Sequence, residues 1–156
     1  MKAHTTLLLV AAFVVPLTAC QSQTATEAPT AASASKAKAE APTLEMYVMS
    51  QCPYGVQVLD AIAPVKEKLG DGLNLKIGYI GNGTAGSFQS LHGPTEVKGN
   101  IAQLCAAKHA PDKYLSLIVC QNKNARAVDT NWKECAGQTG IDASVLETCI
   151  NGDEGQ

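Results

Sequence analysis

Four cysteines recur at intervals of 15, 15 and 14 residues through the second half of the chain, at Cys105, Cys120, Cys135 and Cys149. No other feature limits the fold as tightly. A 156-residue chain with six cysteines exceeds what a reducing cytosol usually carries, and none of the six sits in the C-x-x-C pair that a zinc ribbon needs. The spacing therefore points to an oxidising compartment and to disulfides that staple a small helical region. Four cysteines permit three connectivities. We favour the nested one, Cys105 with Cys149 around Cys120 with Cys135, in which the inner bridge closes a loop worth about 3 kcal/mol.

The N-terminus supplies a route to such a compartment. Lys2 is a short positive region, Thr5 to Pro16 is apolar but too short for an ordinary membrane span, and small residues precede Cys20. We read residues 1–19 as an export signal. Its LTAC ending resembles a bacterial lipoprotein lipobox, which implies that Cys20 is the lipidated first residue of the mature protein. The expected location is the bacterial cell envelope, with the protein facing the periplasm or the exterior and held to the membrane through its lipid anchor. Beyond the lipobox cysteine, residues 20–42 carry only Ala, Thr, Ser, Gln, Lys, Glu and Pro, so they read as a linker without a core.

Residues 43–156 remain as one domain, within the size that 46% hydrophobic and 17% charged composition can fold around a modest core. Twelve Lys and Arg against fourteen Asp and Glu leave no basic surface for nucleic acid, so no nucleic-acid partner is expected. Leu44 to Met49 has strand length and composition and reads as a buried strand. Ser50 to Pro53 then turns, and Val58, Ile62, Val65 and Leu69 mark one face of a helix that ends at Gly70. Pro53 suits the first helical turn, whereas Pro64 should kink the helix. Leu73, Leu75, Ile77 and Tyr79 alternate as a second strand. A Gly-rich loop from Gly81 to Pro94 leads to a helical part from about residue 95, with helices expected over Thr95 to His109, Pro111 to Gln121, Thr130 to Thr139 and Asp142 to Asn151. The fold class is α/β: a β-α-β unit followed by a disulfide-stapled helical region.

Cys52 stands apart from the other cysteines. It lies where a strand passes into a helix N-terminus, and there backbone N–H groups and the helix dipole favour the thiolate, the nucleophile of disulfide exchange. The plainer reading is a small apolar side chain filling space beneath the sheet. With Cys20 lipidated, five cysteines remain, and the odd count leaves one thiol over. We assign that thiol to Cys52.

The segment MYVMSQCPYG, the SLHG at Ser90 to Gly93, and the cysteines of LC (Cys105), LIVC (Cys120), KEC (Cys135) and ETCINGDEG (Cys149) together resemble the thioredoxin superfamily in its DsbA-like branch. More closely, they resemble the gamma-interferon-inducible lysosomal thiol reductase family and its bacterial relatives. The resemblance spans nearly all of residues 44–155 and implies thiol-disulfide chemistry on a thioredoxin-like scaffold with a helical insertion. Two departures bear on function. The position of the second, resolving cysteine of such sites is Gly55, so no internal disulfide can form there, and a mixed disulfide on Cys52 must await an external thiol. Residues 43–156 also offer no run that reads as the C-terminal β-hairpin with its cis-proline or as the closing helix, so the expected sheet has two parallel strands with open edges, which a homodimer could complete.

The remaining residues are weighed against simpler roles. Pro53 would fix the catalytic turn, while Tyr54, Gln57 and His92 would shape substrate access. Turn or helix-surface roles serve Tyr54 and Gln57 equally well, and a loop or helix-entry role serves His92 better than proton transfer. His109 suits a helix C-terminus and Trp132 a packing position. No metal site and no cofactor are expected. The sequence thus points to an exported, lipid-anchored exchange protein with a single reactive Cys52, acting on protein or small-molecule thiols as an oxidoreductase or isomerase. The alternative is a non-catalytic thioredoxin-like binding lipoprotein of the envelope.

Overall fold

The computed structural model describes residues 40–156. The export signal, Cys20 and most of the linker lie outside the described residues. Strand β1 (Thr43–Val48) pairs in parallel with β2 (Asn74–Tyr79), in register from Thr43 opposite Asn74 to Val48 opposite Tyr79, and helix α1 (Pro53–Leu69) connects them. The expected strand, helix, strand order is present. β1 is not buried as its composition suggested: only Val48 is fully enclosed, and Tyr47 is 65% exposed. A sheet of two strands gives β1 one neighbour, and cover reaches only the end where Val48 meets Leu59 and Ile118.

Helix α1 runs unbroken through Pro64. Its buried face also differs from the expected one. Gly55 and Leu59 are buried, while Val58, Val65 and Leu69 are exposed. Both stripes have helical spacing and share Ile62, so periodicity alone could not choose between them. Gly55 decides the choice. A Cβ there would lie 2.9 Å from the Met49 carbonyl oxygen and 3.5 Å from Val48 Cβ, so a residue without a side chain lets α1 lie close on the end of β1.

The Gly-rich segment is not wholly loop, because β3 (Asn82–Thr84) and β4 (Ser87–Gln89) form a short antiparallel hairpin around Ala85 and Gly86. Strands of three residues are too short to show alternation in the sequence. Beyond them lie α2 (Pro94–His109), α3 (Tyr114–Asn122), a single 3-10 turn at Ala125–Ala127, α4 (Trp132–Thr139) and α5 (Ala143–Asn151). α3 and α4 begin later than expected, after turns that hold Pro111 and Thr130. Asp142 caps α5 as its sequence suggested, accepting a 2.8 Å bond from the Ser144 amide.

The disulfides follow the nested pairing. Cys105–Cys149 ties α2 to α5 and Cys120–Cys135 ties α3 to α4. All four sit in the helical core with Ala102, Leu117, Trp132 and Leu146. Among the described residues no strand follows β4, and no helix is long and apolar enough to cross a membrane.

Candidate functional site

Cys52 is the N-cap of α1, with φ −69° and ψ 122°, and Pro53 follows as the first helical residue. Pro is favoured there because its missing N–H would have no partner within the helix. The Cys52 amide donates to the Met49 carbonyl at 3.1 Å and its carbonyl accepts from Val56 at 2.9 Å, so the residue closes the turn and opens the helix at once. The residue is partly exposed, and among the described residues Cys52 is the free cysteine.

The two residues before Cys52 are held from two sides. On one side stands α2. The Ser50 amide donates to Asn100 Oδ1 at 3.0 Å, the Ser50 hydroxyl donates to the Glu96 carbonyl at 3.2 Å, and the Gln51 amide donates to Glu96 Oε2 at 3.0 Å. On the other side, the Gln51 side-chain amide donates to the carbonyls of Ala125 and Arg126 at 3.1 and 3.2 Å. α2 approaches this closely because of Gly99, where a Cβ would meet Val128 Cγ1 at 2.3 Å and Ser50 Oγ at 2.8 Å.

Glu96 is fully buried, and its carboxylate collects four hydrogen bonds. Oε1 accepts from the Ser90 hydroxyl and from the His92 amide, while Oε2 accepts from the Gln51 amide and meets His92 Nδ1 at 2.7 Å. Burial pushes this carboxyl up, but the bonds from Ser90, His92 and Gln51 outweigh burial and hold it below the ordinary glutamate value. The SLHG loop and the Cys52 turn therefore meet on one carboxylate.

His92 lies in the turn that enters α2, the loop or helix-entry position its sequence context suggested, and its ring also meets Glu96 at this junction. Tyr54 and Gln57 occupy exposed positions on the first turns of α1, with Tyr54 80% exposed. The spacing of the cysteines did not reveal Glu96, Asn100, Ser50 or Ser90 as parts of the site. The available signal was the four-residue separation of His92 and Glu96 at a helix start. A second group of ligand-type atoms, from His109, Cys149 and Glu154, lies within 4.8 Å. There the Cys149 sulfur is bonded to Cys105 and so is not a thiolate donor.

A free thiol on a partly exposed residue at a helix N-terminus, on a turn fixed by buried polar groups, can attack a disulfide sulfur and form a mixed disulfide. The family profile described as gamma interferon inducible lysosomal thiol reductase matches residues 43–139. No curated protein matches the chain. The matched span is more than half of the chain and takes in the Cys52 turn, the His92 to Glu96 segment and three of the four bridged cysteines. The chain belongs to the gamma interferon inducible lysosomal thiol reductase family.

Proposed function

We propose that the protein carries out thiol-disulfide exchange through Cys52 alone. One observation carries this reading: Cys52 is left free at the start of α1 while the four helical cysteines are bonded to one another. The Cys52 thiolate attacks one sulfur of a substrate disulfide. A bond forms between Cys52 Sγ and that sulfur, the substrate S–S bond breaks, and the other sulfur leaves as a thiolate that takes up a proton. A second thiolate then attacks the mixed disulfide at the substrate sulfur, forms a new disulfide with it and releases the Cys52 thiolate. When that thiol belongs to the substrate protein, the net change is isomerisation. When it is a small thiol, a further molecule of it cleaves the new disulfide, so that two external thiols supply the two electrons of reduction. With Gly55 in the resolving position, the second step is intermolecular, which suits isomerisation or reduction driven by an external thiol.

In this reading the chain is a DsbA-like, bacterial relative of its family. It is exported and anchored through lipid on Cys20, with its domain facing the periplasm or the exterior. The LTAC sequence and the core-free segment 21–42 support this placement. Pro53 fixes the turn, and Tyr54, Gln57 and His92 border the approach to the thiol. The open edges of the β1–β2 sheet leave room for a second copy to pair there. The competing role, a non-catalytic binding lipoprotein, draws support from Gly55, since it removes one half of the usual redox pair.

A dithiodipyridine assay on the unreduced protein separates the two. Exchange chemistry predicts release of one equivalent of thiopyridone faster than from free cysteine at neutral pH, loss of that release in Cys52→Ser, and recovery of the thiol on adding glutathione. Release no faster than from free cysteine would favour the binding role.

A further inference from the structure

The buried carboxylate of Glu96 joins two things that the exchange reaction has not yet used: the amide of the residue preceding Cys52, and the imidazole of His92. Both contact the same oxygen, Oε2, at 3.0 and 2.7 Å. An ionised carboxylate can only accept, so His92 Nδ1 carries hydrogen in either charge state, and Nε2 is the ring atom that gains or loses the proton. The His92 side chain is 36% exposed, so Nε2 can exchange that proton with water. Among the described residues His92 is the one cation within ion-pair distance of Glu96.

The charge beside Cys52 therefore depends on one proton. With imidazolium, the pair is neutral overall and the carboxylate does not oppose a thiolate. With neutral imidazole, an uncompensated negative charge remains on the buried carboxylate that holds the amide of the residue before Cys52, and it opposes thiolate formation. The ionisable residues nearest along the elements that hold the turn are Tyr54 on α1, Lys98 on α2, and Arg126 and Asp129 beyond α3. None of these makes an ion pair with either partner. Tyr79 on β2 donates to Gln103 and stays neutral because burial pushes its hydroxyl far up.

We propose that Glu96 is a positioning residue for the Cys52 turn and that, through it, the proton on His92 sets the reactivity of Cys52. This rests on Cys52 being the reacting thiol. Ser50 and Asn100 hold the backbone of the turn whatever the pH, so the proton-dependent part is confined to His92 and Glu96.

The test is the rate of iodoacetamide alkylation of Cys52 in the unreduced full chain, relative to free cysteine, at about pH 5.5 and 8.5, on either side of imidazole titration. His92→Gln is expected to lower the relative rate about three- to tenfold at the acidic pH and to leave it within about twofold at the alkaline pH. In a Glu96→Gln background, replacing His92 should have no further effect at the acidic pH, since the imidazole is no longer held. An equal change at both pH values, or additive effects of the two substitutions, would overturn the proposal. Should Glu96→Gln fail to fold, the two-pH ratio for the surface substitution His92→Gln decides alone. Alkylation of the native protein no faster than free cysteine at either pH would instead remove the exchange reading itself, and this inference with it.

Discussion

A Cβ placed on Gly55 would stand 3.6 Å from Cβ of Cys52, inside the range that a disulfide spans. The scaffold thus retains the geometry of a two-cysteine site and lacks only the second sulfur. Gly55→Cys is expected to form an internal disulfide with Cys52 on oxidation, seen as loss of alkylatable thiol by mass spectrometry. It should also speed release of a mixed disulfide about tenfold or more, because the second attack becomes intramolecular. The same Cβ would lie 2.9 Å from the Met49 carbonyl, so the turn must shift slightly and some stability is lost.

Gly99 is where α2 meets both the Ser50 turn and Val128. With Val128 Cγ1 at 2.3 Å from an added Cβ, Gly99→Ala should destabilise by about 1–3 kcal/mol through overpacking, read as a lower urea midpoint. Gly137→Ala is the control: nothing lies within 4 Å of its Cβ position, and it should be neutral or slightly stabilising.

The two disulfides close loops of different length. Cys120→Ala with Cys135→Ala opens a separation of 15 residues and should cost about 3 kcal/mol. Cys105→Ala with Cys149→Ala opens one of 44 residues and should cost about 4 kcal/mol. Urea denaturation of the two double variants checks the order.

Acid stability follows from Glu96, with smaller help from the exposed Asp142 and Glu154. All three are held below their ordinary values: Glu96 because its hydrogen bonds outweigh burial, Asp142 by the Ser144 hydroxyl, Glu154 by His109 and Lys108. A carboxyl lowered in the folded state stabilises above its unfolded value and loses that contribution as pH falls through the folded one. The urea midpoint should therefore decline below about pH 4.3, the ordinary glutamate value, and Glu96→Gln should make the decline shallower.

Much of this was legible in the sequence, for reasons that differ by element. The β-α-β order shows in composition and periodicity, and the Asp142 cap in a polar residue before an apolar run. Cysteine spacing is compatible with several pairings, and packing of α2 on α5 and of α3 on α4 selects one. The buried face of α1 was not legible, because two stripes share Ile62 and the choice rests on a glycine that contributes no hydrophobicity. Nor was the Glu96 network. A charged residue in a first helical turn looks like a solvated one until the turn it holds, 45 residues earlier, is brought beside it.

The most direct test is peptide mapping of the native, unreduced protein after alkylation. The expected map has Cys105 bridged to Cys149, Cys120 bridged to Cys135, and the alkyl group on Cys52. Cys52 found in a disulfide with any of those four would contradict the account.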